Sequence, residues 1–369
     1  GPACQRRSGP RTPGPAGAAG GGGGPRRQAA AAGQRRADER KTSAGAAARP
    51  LGATVDTAGS MKPPSQMLTP RMAGLLERIH RANRTPFHRL TPREARIAYR
   101  MGAEILDLPR APLARVTDLE VAGRPARLYA PSDAVLPVLL YLHGGGFTIG
   151  DLETHDSLCR QLSLRSGAAV VALDYRLAPE HRFPAAVDDA WAALAWLHQH
   201  AAALGLDGAR LGVAGDSAGG TLAAGTAFFA RDRGLPLALQ LLITPGTASR
   251  PATASHKLFA HGFLLDADSI AWFFDHYLDA GQRHDWRFAP LEAPEHAGLA
   301  PACIVLAECD PLVDEGIAYA DTLRAAGVPV QLELYRGVTH DFIKMGRHIP
   351  EALTALDACA QAIRETLTP

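Results

Sequence analysis

Apolar strand-like runs alternate with helix-like segments from about residue 137 onward. That alternation predicts an α/β fold, with a mostly parallel sheet covered by helices on both faces. The strand runs are continuously apolar, as in Pro137-Val-Leu-Leu-Tyr-Leu142, which fits strands buried on both sides. The turns richest in reactive residues follow directly after strands, where open α/β sheets place their ligands. With 369 residues, 46% of them hydrophobic, the chain is long enough to bury one large core.

Taken in order, residues 68–110 carry two amphipathic helical patterns, Pro70–Ala82 and Thr91–Leu108. The second opens with Thr91 as N-cap, Pro92 at the first helical position and Glu94 at the third, a capping-box pattern. Taken alone, the pair reads as a helical hairpin packed on the sheet. An early strand hairpin is expected at 115–121 and 125–130. Strands at 137–142, 168–173, 210–214 and 238–243 then alternate with helices at 153–166, 187–200 and 218–230. Residues 246–286 form an irregular, then helical, insert rich in aromatics, including Phe259, Phe263, Trp272, Phe273 and Phe274. A strand at 302–307, a helix at 313–326, a strand at 330–335 and a helix at 349–366 complete the pattern. No internal repeat is visible.

The most informative segment is Val213-Ala-Gly-Asp-Ser-Ala-Gly-Gly220. A buried strand leads into Gly215-x-Ser217-x-Gly219 and then into a small-residue helix. Such a turn holds the serine in a strained backbone and thrusts its hydroxyl out above the sheet, while the helix N-terminus points amides at whatever it attacks. Upstream, the strand ending at Leu142 runs into His143-Gly-Gly-Gly-Phe147, whose bare backbone lets amides approach a substrate oxygen. No phosphate-loop pattern accompanies these glycines, so an oxyanion site is the better reading. Each such donor contributes about 10²–10³ in rate.

A serine nucleophile needs a base, and the base an orienting acid. After Ser217 the chain offers Pro301-Ala-Cys-Ile-Val-Leu-Ala-Glu-Cys-Asp310, then Val330-Gln-Leu-Glu-Leu-Tyr335 followed by Gly337-Val-Thr-His340. His340 is the expected base and Asp310 the expected acid, with Glu308 and Asp314 as neighbouring alternatives for the acid. Asp314 should fall on the following helix. The other histidines read as surface or structural residues.

His143-Gly-Gly-Gly-Phe147, Asp174-Tyr-Arg-Leu-Ala-Pro-Glu-His181, Gly215-Asp-Ser-Ala-Gly-Gly220 and Asp310-Pro-Leu-Val-Asp-Glu-Gly316 together resemble the signature set of the hormone-sensitive lipase family of α/β-hydrolases, in particular its bacterial carboxylesterase branch. The likeness runs from about Leu68 to Arg364. It implies the α/β-hydrolase fold, Ser217 as nucleophile, Asp310 as acid and His340 as base. It also implies that Gly145, Gly146 and Ala218 supply the oxyanion amides. Residues 68–110 and 246–286 would be the two halves of a helical cap, and the Tyr175–His181 stretch would be mainly structural. The implied reaction is hydrolysis of short to medium acyl esters through an acyl-serine intermediate, with no metal or organic cofactor. The same triad would also serve an amidase or deacetylase of small acylated compounds, and a related scaffold without turnover would serve as a ligand-binding receptor. One residue departs from the pattern: Asp341 stands after the histidine, where the family usually has glycine. Its carboxylate either lies near the imidazole ring and raises its proton affinity, or points to solvent or caps the turn.

Composition narrows the partners. The net charge of +2 is misleading, because residues 1–60 hold ten Lys and Arg against three acidic residues. The remainder, 61–369, carries 29 basic and 34 acidic residues and is mildly acidic. That balance gives no surface for nucleic acid, and the partner expected is a small-molecule ester. Residues 1–60, rich in Gly, Ala, Pro and Arg, read as a disordered tail or an appended extension rather than a targeting signal, and the hydrolase domain as 61–369. Met61 begins the first stretch that reads as natural protein. No run of 18 apolar residues is present, so no membrane span is expected. Five cysteines, Cys4, Cys159, Cys303, Cys309 and Cys359, are an odd number without metal-ligand spacing and read as buried thiols in a reducing compartment, the cytoplasm. The last strand, 330–335, is a candidate sheet edge on which a homodimer could form.

Overall fold

The computed structural model describes residues 63–367. The expectations for residues 1–60, Met61 and Cys4 lie outside these residues. Two helices come first, α1 (Pro70–Arg81) and α2 (Pro92–Leu106), followed by the antiparallel pair β1 (Arg115–Val121) and β2 (Arg124–Ala130). The chain then runs through β3 (Leu136–Leu142), α3 (Asp156–Ser166), β4 (Ala169–Leu173), α4 (Ala185–His200), β5 (Leu206–Asp216), α5 (Ala218–Asp232) and β6 (Leu239–Ile243). Two helices of the insert follow, α6 (Ala254–Leu258) and α7 (Ala267–Tyr277). The chain closes with β7 (Ala302–Cys309), α8 (Val313–Ala325), β8 (Val330–Thr339) and α9 (Pro350–Leu367).

The eight strands form one sheet in the order β1-β2-β4-β3-β5-β6-β7-β8. β2 meets β4 antiparallel, and every pairing from β4 to β8 is parallel. The alternation of side chains along a strand divides the core in two. Val138, Leu140 and Leu142 of β3 join Leu194 of α4, Leu222 of α5 and Leu323 of α8 on one face. Leu139 and Tyr141 join Leu75 of α1, Leu158 of α3 and Leu356 of α9 on the other. Each fully buried leucine contributes about 1.5–3 kcal/mol relative to exposure.

Local chemistry explains where elements begin. Thr91 Oγ1 accepts the Glu94 amide at 3.3 Å while the Glu94 carboxylate accepts the Thr91 amide at 2.9 Å, so the capping box expected for α2 is present. α3 starts at Asp156 rather than at 153, because Asp151 and Thr154 exchange hydrogen bonds in a turn that delays the helix. β5 is longer than 210–214 at both ends, and β8 runs on to Thr339 by way of a register shift opposite β7. Among the described residues no helix is long and apolar enough to cross a membrane. Cys159, Cys303, Cys309 and Cys359 are buried free thiols.

Candidate active site

The register of the sheet brings the chemistry-bearing loops together. Chain order reverses between β3 and β5, which are neighbours, with Leu142 opposite Gly215. The glycine loop after β3 therefore lies beside the serine turn after β5, at a topological switch point. Farther along the sheet Cys309 pairs with Thr339, so Asp310 and His340 each follow one of two paired residues.

At the end of β5, Ser217 has φ +53°, a left-handed conformation that few non-glycine residues adopt. Its amide donates to Ile243 O at 2.8 Å, which ties the strained turn to β6. Gly219 allows the turn to pack against β3, since a Cβ there would stand 1.9 Å from Leu142 O. Ser217 Oγ lies 2.9 Å from His340 Nε2, and His340 Nδ1 lies 2.7 Å from Asp310 Oδ2. Asp310 is fixed in turn by the Leu312 amide, which donates to Oδ1 at 2.9 Å. Burial alone would lower the proton affinity of His340. The hydrogen-bonded Asp310 carboxylate, then Asp341 and Asp216, outweigh burial and raise its pKa above the ordinary imidazole value.

The two alternative acids are engaged elsewhere. Asp314, on α8 as expected, accepts the Ser255 amide at 2.8 Å, and Glu308 accepts the Gly337 amide at 2.8 Å. In the glycine loop, Gly145 and Gly146 have φ +122° and +56°. Their amides, and that of Ala218 at the start of α5, donate to no acceptor among the described residues. Gly144 plays a different part: its amide donates to Asp216 Oδ1 at 3.0 Å. Tyr175 anchors the same loop, stacking on His143 at 4.2 Å and donating its hydroxyl to His143 O at 2.7 Å. Burial, then the neighbouring His155, push the His143 pKa down to about 4, so its ring stays neutral.

Asp216 and Glu315, to which the sequence assigns no role, lie beside the site, as does Phe273 of the aromatic insert. Asp216 is fully buried and takes hydrogen bonds from Tyr141 (2.7 Å) and Gly144, with His155 Nε2 at 3.0 Å. Burial opposes its charge, but His155, Lys344 and Tyr141 hold its carboxyl well below the usual range. Glu315, from the Asp310–Gly316 motif, is buried and accepts the Thr247 and Ala248 amides at 2.5 and 3.2 Å. Its burial, only partly opposed by these bonds, pushes its pKa up to about 8. Phe273, from the aromatic insert, sits against Gly146, where a Cβ would meet its ring at 2.2 Å. The pocket opening on Ser217 is mostly apolar, walled by Leu265, Ile270, Phe273, Phe274 and Phe288.

Comparison with known proteins follows the same lines. A family model described as the alpha/beta hydrolase fold matches residues 139–344. The chain belongs to the α/β-hydrolase family. Ethyl acetate hydrolase of Pseudomonas putida is 39% identical over 317 residues, spanning 81% of this chain and 99% of that protein. Esterase LipI of Mycobacterium tuberculosis is 43% identical over 276 residues, 71% of this chain and 86% of its own. These relatives place the chain in the hormone-sensitive-lipase-like, bacterial carboxylesterase branch of the α/β-hydrolases. Among solved structures, the hyperthermophilic esterase from the archaeon Pyrobaculum calidifontis aligns with a TM-score of 0.77 and 37% identity, covering 81% of this chain and 98% of that one.

Proposed function

We propose that this α/β-hydrolase is a serine carboxylesterase that cleaves short to medium acyl esters through an acyl-serine intermediate. The observation that carries the reading is the continuous chain from Ser217 Oγ to His340 to Asp310, at 2.9 and 2.7 Å. His340 takes the serine proton at Nε2 as Oγ attacks the ester carbonyl, and Asp310 holds the ring by Nδ1 and stabilises the imidazolium. The amides of Gly145, Gly146 and Ala218 receive the oxyanion. The imidazolium then protonates the departing alcohol. Water, deprotonated by the same ring, attacks the acyl-serine and releases the acid.

Segments 68–110 and 246–286 act as the two halves of a cap. Support comes from Phe273 over the glycine loop, from Phe87 and Tyr99 packed beside it, and from Arg96, which donates to Thr148 O and Ala178 O at 2.9 Å. The aromatic walls of the pocket favour an acyl chain of limited length. Four buried free thiols fit a cytoplasmic location, and the outer edge of β8 is the surface on which two copies would pair.

A panel of 4-nitrophenyl esters from acetate to laurate, with matched anilides, tests the reading. Turnover greatest on short to medium esters and far slower on anilides is expected. Faster cleavage of the anilides would make the enzyme an amidase. A folded protein that binds esters without hydrolysing them would be a receptor.

A further inference from the structure

Asp341 has a left-handed backbone, φ +60°, which aspartate tolerates better than most residues. Its side chain is partly exposed, but one carboxylate oxygen faces inward. Oδ1 is buried 3.8 Å from His340 Nε2 and accepts no hydrogen bond among the described residues. Oδ2 lies 3.3 Å from the hydroxyl of Tyr99, a residue of α2. The direction of that bond is set from behind. Lys344 Nζ lies 2.8 Å from the same hydroxyl, and an ammonium only donates, so the phenol accepts from Lys344 and gives its own proton to Asp341. Burial, then the Asp341 carboxylate, hold the Tyr99 phenol far from ionising.

We propose that Asp341 is a positioning residue for the imidazole of His340: held by Tyr99, its carboxylate compensates the imidazolium on the Nε2 side, making the strength of the base depend on the seating of α2. This inference rests on the esterase reading and extends it. Asp310 meets the ring at Nδ1, and Asp341 faces the nitrogen that receives the serine proton. The other charged or titratable groups around the ring are Asp216 and, from α8, Glu315. Beyond Asp216 lie His155 and Lys344, and beyond Glu315 lies His256, with Nε2 3.4 Å from the carboxylate. None of these other side chains has an ion-pair or hydrogen-bond contact with Nε2, apart from Ser217. Tyr99 also belongs to the aromatic seam that covers the glycine loop: its ring meets Phe87 edge-on at 6.1 Å, and Phe87 lies 6.4 Å from Phe273. One residue of α2 therefore touches both the cap seam and the carboxylate beside the base.

The test is the kcat/KM profile from pH 5 to 9 for the parent, Asp341→Asn, Tyr99→Phe and the double variant, with the His340 ring followed in parallel by NMR titration. A raised imidazole pKa keeps the base protonated, and the enzyme inactive, up to a higher pH. Removing the Asp341 charge is expected to lower the acid-limb pKa by at least about half a unit. It should also reduce the plateau at high pH, because the imidazolium formed during attack loses a partner. Tyr99→Phe should move the acid limb the same way by a smaller step, and the double variant no further than Asp341→Asn alone. An acid limb unchanged in Asp341→Asn or in Tyr99→Phe overturns the proposal, as do fully additive shifts. If Asp341→Asn does not fold, Asp341→Gly carries the test, since glycine adopts the left-handed φ without strain. A parent that hydrolyses no ester would defeat the esterase reading itself. A parent that hydrolyses esters, with profiles that superimpose, would defeat this inference alone.

Discussion

Asp310→Asn exchanges one carboxylate oxygen for an amide NH₂, and the structure determines which one. Asp310 Oδ1 accepts the buried Leu312 amide at 2.9 Å, while Oδ2 lies 2.7 Å from His340 Nδ1. In the asparagine variant the carbonyl oxygen must stay toward the Leu312 amide, because an NH₂ there would set donor against donor. The NH₂ then faces Nδ1 and forces that nitrogen to accept. The ring proton moves to Nε2 and points at Ser217 Oγ, 2.9 Å away, so the imidazole no longer accepts the serine proton. A wrong tautomer of this kind costs about 10⁴ in kcat, or about 5.5 kcal/mol of barrier. Asp314→Asn is the matched control. Its amide oxygen still accepts the Ser255 amide, and activity should stay within about twofold of the parent. The assay is initial-rate hydrolysis of a 4-nitrophenyl butyrate series at pH 8, with thermal melts to confirm folding. Asp310→Asn within tenfold of the parent, or an inactive but folded Asp314→Asn, would move the acid to Asp314.

Phe273→Ala should remove the ring that lies on Gly146 and shift the preferred ester toward longer acyl chains, read as the ratio of kcat/KM for octanoate over butyrate. An unchanged ratio would place the acyl chain elsewhere in the pocket. Asp216→Asn should lower Tm at pH 7, because the buried carboxylate holds the Gly144 amide and faces His155. The parent's Asp216 pKa is depressed in the fold, so its stabilisation is present above the ordinary aspartate value near ~4 and fades as pH falls toward the folded value. The gap in Tm between parent and variant should therefore narrow below about pH 4, and a gap independent of pH would contradict this.

Much of the candidate site's arrangement was legible because its residues sit in short local motifs with a mechanical reason for each spacing. Gly215-x-Ser217-x-Gly219 requires glycines where the turn touches β3, and that contact is present at Gly219. Asp310 and His340 were legible as residues just past the C-terminal ends of two expected strands, although their pairing depended on β7 and β8 being neighbours. What escaped were residues whose partners are far apart in sequence. Lys344 is a single charge among the buried Phe342, Ile343 and Met345, a pattern that flags a buried ion but not its neighbours Tyr99 and His155. Asp216 belongs to the Gly215–Gly220 motif, yet its contact with the Gly144 amide is set by the pairing of β3 with β5. The orientation of Asp341 was open for the same reason, since Tyr99 lies 242 positions away. The delayed start of α3 came from a reciprocal Asp151–Thr154 turn that helix periodicity does not register.

If Ser217 is the nucleophile of an ester hydrolase, it should be the residue that an ester-like phosphonate modifies. Brief treatment with a 4-nitrophenyl alkylphosphonate, followed by intact-protein mass measurement and peptide mapping, tests it directly. One phosphonyl group per chain is expected, located on Ser217, with loss of esterase activity in proportion to labelling and neither labelling nor turnover in Ser217→Ala. Stoichiometric labelling at another residue with activity lost, or a folded Ser217→Ala that still hydrolyses the butyrate ester at a substantial fraction of the parent rate, would contradict it.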